Sequence, residues 1–110
     1  MVVLSFRDKL WEPPFLGFYK VNVDGSCCGG SLASEGVLRD SDGRWVTGFM
    51  AVANDANVFV AELLAIKGGL ELVQRYEISF VILESGFMDA LMMVFLEKVM
   101  LVMSCAKFTF

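Results

Sequence analysis

The sequence predicts an α/β fold on a mixed sheet, with an antiparallel three-stranded meander, a crossover helix and a parallel strand. Three observations lead to this fold class. Apolar and polar residues alternate at positions 19–24, a polar turn at 40–43 separates two strand-like segments, and an amphipathic stretch precedes an apolar run at 78–83. A helix that connects two strands of one sheet normally makes a right-handed parallel crossover.

The length and composition are typical of a single acidic domain. The chain has 110 residues, a formal net charge of −4 and no histidine. A chain of this length can bury a moderate core of its own. The lack of histidine excludes Ser-His-Asp and Cys-His nucleophile systems and most zinc sites. The lack of a basic run argues against a free-standing nucleic-acid binder, which usually has a basic face.

We find no signal for secretion or for a membrane span. The opening apolar segment is too short for a signal-peptide core and meets Arg7 at once. Cys27 and Cys28 are adjacent and no disulfide framework is recognisable, which predicts reduced thiols in an intracellular protein, nuclear or cytoplasmic. Glu97 and Lys98 divide the most apolar region, and neither half approaches the roughly 18–20 apolar residues of a span.

The first predicted strand ends at a carboxylate. Tyr19, Val21 and Val23 alternate with polar residues, which is the period of a half-buried strand, and Asp24-Gly25 is a turn signal. Aspartate is depleted in strands. Asp24 is therefore either a turn residue that hydrogen-bonds its own backbone or a candidate catalytic residue.

The next two strands form a hairpin. Segments 36–39 and 44–49 flank a polar turn that ends in Gly43, and together with the first strand they complete the meander. Residues 27–31, which precede the hairpin, are small. We interpret them as a loop that serves either as a plain connector or as a place where the backbone approaches a ligand.

A helix is predicted over residues 58–76. Asn54, Asp55 and Asn57 are capable N-caps, and apolar residues recur at helical spacing after them. Small residues beside this apolar face would let the helix lie close to a sheet. Glu62 lies in the second turn, where it is either a charge favoured by the positive helix end or a residue of a functional site.

The apolar run at 78–83 predicts a strand that is buried on both faces. A second helix is predicted from Phe87 to about Leu96 or beyond, with its methionines as flexible core filler. The expected organisation is an N-terminal tail or linker over 1–17, a partial domain over 18–96 and a divergent C-terminal segment over 97–110.

Six short strings resemble the plant ribonuclease H-like domain, which is related to retrotransposon reverse transcriptases within the ribonuclease H type 1 superfamily. Each string is weak by itself, but their order and spacing together are specific and cover roughly residues 11–85. The strings are Trp11-Glu12-Pro13-Pro14, Lys20-Val21-Asn22-Val23-Asp24-Gly25-Ser26, Gly36-Val37-Leu38-Arg39-Asp40, Asp42-Gly43-Arg44-Trp45, Ala61-Glu62-Leu63 with Gly69-Leu70, and Val81-Ile82-Leu83-Glu84-Ser85.

The resemblance implies a reaction, a cofactor and a set of site residues. The family cleaves the RNA strand of RNA–DNA hybrids by means of carboxylates that hold two magnesium ions, Mg²⁺ being a hard cation that prefers oxygen ligands. By position, Asp24 corresponds to its first catalytic and metal-binding carboxylate and Glu62 to its second. The metal-dependent step needs no histidine, in accordance with this composition.

The remaining ligand positions depart from the family pattern. Gly86 stands where the family has its third Asp, and the last strand, helix and fourth Asp are not recognisable after Phe87. Glu84 and Asp89 are the two acidic residues near enough in sequence to be considered as substitutes. The resemblance thus implies an incomplete C-terminal part, weak or absent Mg²⁺ binding, and lost or strongly reduced nuclease activity.

Two functions from different classes remain open. The first is a ribonuclease H-type domain that binds RNA–DNA hybrid as its partner. The alternative is a non-catalytic interaction module, or a truncated gene product, that self-associates through an exposed apolar C-terminal segment. Neither function involves a membrane.

Overall fold

A computed structural model of the chain describes residues 1–7, 12–14, 16–54 and 57–103. Within these ranges the chain forms one sheet with two helices. The elements are β1 (Val2–Phe6), β2 (Tyr19–Cys28), β3 (Ser31–Arg39), β4 (Trp45–Asn54), α1 (Val58–Arg75), β5 (Val81–Ser85) and α2 (Met88–Met103).

The sheet has the strand order β1-β5-β2-β3-β4. β2, β3 and β4 form an antiparallel meander, and β5 pairs in parallel with β2 on the other side of it. The predicted α/β fold, with its meander, crossover helix α1 and parallel strand, is therefore confirmed. No helix in the described part of the chain is long and apolar enough to cross a membrane.

The outermost strand, β1, lies in the range that the sequence predicts to be a tail or linker. Val2 pairs in parallel with Val81, and Phe6 with Ser85. β5 is buried along its whole length, so its backbone groups need partners on both edges, and β1 supplies them on the outer edge. Residues 2–6 therefore belong to the sheet. The sequence does not predict this strand, because the segment is short and no turn signal marks its end.

β2 continues past the Asp24-Gly25 turn signal to Cys28. The turn to β3 is made by Gly29 and Gly30, whose φ angles of 59° and 83° suit a two-residue hairpin that ordinary side chains would strain. The predicted end of the strand at Asp24 is therefore wrong. The segment predicted as a loop over 27–31 consists of two strand ends and a tight turn.

A hydrophobic core fills the space between one face of the sheet and the helices. Its buried side chains come from β2, β3, α1, β5 and α2. They are Val21, Val23, Leu38, Ala65, Ile66, Leu72, Val73, Val81, Leu83, Ala90 and Leu91. The apolar face of the predicted helix over 58–76 packs on this core, as expected from its pattern. The strand predicted over 78–83 begins only at Val81 and is buried from there to Ser85. The prediction is wrong for residues 78–80, of which Ser79 and Phe80 are exposed.

Gly25 sets the distance between β2 and α1. A Cβ atom at this position would lie 2.4 Å from the carbonyl carbon of Ala61 and 2.5 Å from the backbone nitrogen of Glu62. Such contacts are far shorter than a real Cβ atom tolerates, so only glycine allows this helix to lie against this strand. Gly25 follows Asp24 because of this contact and not because of a turn.

Replacing Gly25 by alanine should push α1 away from β2. We expect Gly25→Ala to lower the free energy of unfolding by at least about 1–3 kcal/mol, the usual cost of overpacking a core, as measured by urea denaturation. Gly86→Ala is the matched control, because a Cβ there would meet its nearest atom at an ordinary 3.6 Å. Equal stability of the two variants would contradict the contact.

Candidate active site

Asp24 lies within β2, on the face of the sheet opposite the core. Its neighbours Val21 and Val23 point into the core, so the alternation of the strand places Asp24 on the other face, where it is exposed. Across the ladder it pairs with Glu35 of β3. The carboxylate is thus held by a central strand and remains accessible.

Glu62 is carried to the same place by the beginning of α1. The Asn57 side chain caps this helix by accepting the Phe59 N–H at 2.9 Å. The Ser34 hydroxyl, which is buried, donates to the Ala61 carbonyl at 2.9 Å and ties the same turn to β3. Glu62 follows this anchored residue and is only 7% exposed.

The two carboxyl groups meet beside Gly25. Glu62 accepts the Gly25 backbone N–H and shares a side-chain hydrogen bond with Asp24. The close packing of α1 on β2 therefore brings together the two residues that the family resemblance singles out.

The surroundings of Glu62 favour its protonated form. Burial raises the pKa of Glu62 above its ordinary value of 4.5, and the negative charge of Asp24 and the hydrogen bond to its carboxyl group raise it further. The Gly25 N–H and the positive charge of Arg7 oppose this rise in pKa. The net effect of these surroundings is a raised pKa of Glu62.

One oxygen of Glu62 is buried without a hydrogen-bond partner. Among the described residues, its Oε2 atom is the buried side-chain oxygen that has no hydrogen-bond partner. Buried polar atoms are almost always satisfied, because an unpaired one carries its full desolvation cost. The orphaned oxygen marks a position where a proton or a cation would be stabilised.

The position expected for a third carboxylate offers positive charge instead. Gly86 is exposed, and the Arg7 guanidinium Nη2 lies 3.6 Å from the point where a Cβ of residue 86 would stand. Glycine has no side-chain ligand. The charged group next to position 86 is therefore the Arg7 guanidinium and not a carboxylate.

Glu84 is committed to other partners. Its Oε2 forms a buried ion pair with Lys20 at 3.1 Å, and its Oε1 accepts from Asn22 at 2.7 Å. The Lys20 ammonium also donates to the Glu12 carbonyl at 2.6 Å. Both oxygens of Glu84 are thus used within the sheet face, which leaves it poorly suited to replace a metal ligand.

Asp89 is exposed in the first turn of α2 and does not complete the site either. Within the described ranges, no three Asp, Glu, His or Cys residues form a group that could hold a metal ion. The donors around Asp24 and Glu62 therefore do not fit a two-magnesium centre, although one buried oxygen of Glu62 is left without a hydrogen-bond partner.

The sequence points to Asp24, Glu62 and Gly86, but it does not point to Arg7 or to the role of Gly25. Lys20 and Asn22 could have been found, since they alternate with Asp24 on one strand face. Arg7 lies seventeen positions before Asp24 in an unremarkable segment. Only the pairing of β1 with β5 brings it to the site.

Comparison with known proteins gives the context of this geometry. Residues 22–94 match the model of a family described as reverse transcriptase-like. An Arabidopsis thaliana protein that is named as a ribonuclease H protein is 36% identical over 76 residues. That alignment covers 67% of this chain but only 12% of the Arabidopsis protein, so the chain spans a small part of its curated relative.

Solved structures share the fold. RNase H1 from the halophilic archaeon Halobacterium salinarum NRC-1 superposes with a TM-score of 0.58 and 23% identity, over 62% of this chain and 53% of that one. LC11-RNase H1, isolated from compost by a metagenomic approach, superposes in its complex with an RNA/DNA hybrid with a TM-score of 0.53 and 21% identity, over 61% and 51% of the two chains. The chain spans about half the length of these structures.

The raised pKa of Glu62 predicts how stability depends on pH. Because its pKa is higher in the folded state, folding is favoured while Glu62 is protonated, and this stabilisation is lost as pH rises from about 4.5 through the folded-state pKa. Glu62→Gln removes the buried charge. We expect it to match the parent below pH 4.5 and to melt higher than the parent at pH 7.

Thermal unfolding followed by circular dichroism from pH 4 to pH 8 measures this difference. The control is Glu71→Gln, since Glu71 is exposed on the same helix. It should leave the pH profile unchanged. A Glu62→Gln variant that melts below the parent at pH 7 would show that the ionised carboxylate stabilises the fold.

Proposed function

The chain belongs to the reverse transcriptase-like family of ribonuclease H-like domains, and we propose that it is a nucleic-acid-binding domain with lost or strongly reduced hybrid-cleaving activity. This proposal rests on the residues that the site contains and on those that it lacks. Asp24 and Glu62 converge, whereas Gly86 brings no ligand and has the Arg7 guanidinium beside it.

The proposed partner is an RNA–DNA hybrid. Support for this comes from the shared fold, because one of the solved neighbours is an RNase H1 in complex with an RNA/DNA hybrid. The sheet face that carries Asp24 is accessible at this residue. A hybrid that lay along it would present its phosphates to the Asp24–Glu62 pair.

Binding of a hybrid should be weak. The chain carries a net charge of −4, and a protein gains affinity for nucleic acid chiefly by neutralising phosphates with Lys and Arg. Lys20, on the face that carries Asp24, is already engaged by Glu84 and by the Glu12 carbonyl. Affinity should therefore depend on contacts other than a basic surface.

Cleavage should be weak for a separate reason. Mg²⁺ supplies an activated water and stabilises the leaving oxygen in this class of reaction. Affinity for hard divalent cations follows the number of charged oxygen ligands, and this site offers two. Misplacement of the reacting groups alone can reduce a rate about 100-fold. We therefore assign Asp24 and Glu62 as the remaining catalytic and metal-binding residues of a degenerate site.

A second candidate function is that of a non-catalytic interaction module. Large apolar side chains are exposed along one side of α2, where Met92, Met93, Phe95 and Leu96 are between 47% and 56% exposed. Contiguous exposed apolar surface usually marks an interaction site. The apolar C-terminal segment that the sequence points to continues beyond these residues, and its side chains lie outside the described part of the chain.

The two candidates predict different behaviour in solution. If α2 mediates self-association, sedimentation velocity will show a concentration-dependent dimer that the double variant Met92→Lys/Phe95→Lys converts to monomer. Gln74→Lys, which adds a charge at an exposed position of α1, serves as the control and should leave the dimer intact. A parent chain that remains monomeric at all concentrations would contradict this function.

The nuclease prediction concerns a labelled RNA–DNA hybrid in millimolar magnesium. We expect no measurable cleavage by the parent chain, and Gly86→Asp alone should restore little, because one added carboxylate does not complete the site. Asp24→Asn is the control for contaminating nuclease. Robust cleavage by the parent that Asp24→Asn abolishes would overturn the proposal and show that the site is complete.

A further inference from the structure

Arg7 directly follows β1, near the end of the strands that carry the site. Phe6 pairs with Ser85, and Ser85 pairs with Val23 on its other side. The residues that follow these three are Arg7, Gly86 and Asp24. The Arg7 N–H donates to the Ser85 carbonyl at 2.9 Å and continues the β1–β5 ladder by one step.

The Arg7 guanidinium lies beside Gly86. Its Nη2 is 3.6 Å from the unfilled Cβ position of this residue, an ordinary van der Waals contact. Neighbouring strands lie about 4.8 Å apart, so the backbones of Arg7 and Asp24 are separated by roughly two strand spacings. A long arginine side chain can extend over a distance of this order.

A positive charge near the Asp24–Glu62 pair would stabilise its ionised form. Glu62 is only 7% exposed, its Oε2 has no hydrogen-bond partner, and Asp24 lies in hydrogen-bonding contact with it. The charge of Arg7 acts on Glu62 in the direction that favours the ionised carboxylate. The guanidinium is permanently charged and is part of the chain, so unlike a metal ion it does not have to be bound from solution.

We propose that Arg7 is the built-in cation of the Asp24–Glu62 site, reaching across Gly86 in place of a divalent metal ion. The guanidinium repels a divalent cation from the pair, and Gly86 adds no carboxylate that would offset this positive charge. This inference concerns the charge state of the site and holds whether or not the chain binds a hybrid.

The first test measures Mn²⁺ binding by isothermal titration calorimetry, without nucleic acid. The parent chain should show no saturable binding at millimolar Mn²⁺, whereas Arg7→Gln should show saturable binding in this range, because one nearby positive charge has been removed. Arg75→Gln makes the same change in net charge at an exposed site in the last turn of α1 and should behave like the parent. Adding Asp24→Asn to Arg7→Gln should abolish the gain.

The second test uses Gly86→Asp and stays informative even if Arg7→Gln does not fold. With Arg7 present, the new carboxylate should pair with the guanidinium, so the variant should melt higher than the parent and still bind Mn²⁺ poorly. In the Arg7→Gln background, the same substitution should add a metal ligand and raise Mn²⁺ affinity.

Two results would overturn the proposal. The first is equal Mn²⁺ affinity for Arg7→Gln, Arg75→Gln and the parent chain. The second is tight Mn²⁺ binding by Gly86→Asp without any rise in melting temperature while Arg7 is present. Since neither titration contains nucleic acid, failure here is distinguishable from failure of hybrid binding or of the cleavage prediction.

Discussion

The contact between α1 and β2 at Gly25 is the constraint on which the site depends. The backbone of Ala61 and Glu62 occupies the space that a side chain at position 25 would need. This contact places Glu62 beside Asp24 and also removes Glu62 from water, so the same packing that assembles the pair makes its second carboxylate costly to ionise. Asn57 caps the start of α1, and Ser34 hydrogen-bonds to the Ala61 carbonyl. These two contacts hold Glu62 in its buried position although burial of its charge is unfavourable.

On the polar face of the sheet, the charges of Lys20 and Glu84 neutralise each other. Lys20, Asn22 and Glu84 satisfy one another in the middle of the sheet, so that a buried ion pair is also hydrogen-bonded. One row further on, Asp24 and Glu62 lack such a complete set of partners, and the nearby cation is Arg7. The chain thus shares the fold of ribonucleases H, but its site consists of two carboxyl groups with an arginine nearby and is not a cluster of carboxylates. The fold alone does not decide the activity.

Most of the sheet could be predicted because its signals are local. The alternation around Val21 and Val23, the hairpin turn at 40–43 and the apolar run at 78–83 each identify an element without reference to the rest of the chain. The failures are all non-local. A glycine that makes room for a helix looks like a turn glycine, as Gly25 shows, and a five-residue edge strand such as β1 has no signature until its partner β5 is known. For the same reason the sequence locates Asp24 and Glu62 but not Arg7.

The most direct test of this account is the titration of the Glu62 carboxyl carbon by nuclear magnetic resonance, in the parent chain and in Asp24→Asn. The account predicts a pKa above 4.5 in the parent, because Glu62 is buried beside a second carboxyl group. It also predicts a lower pKa in the variant, since the charge of Asp24 is gone while burial remains. An ordinary pKa for Glu62 that does not change in Asp24→Asn would show that the two carboxyl groups do not meet.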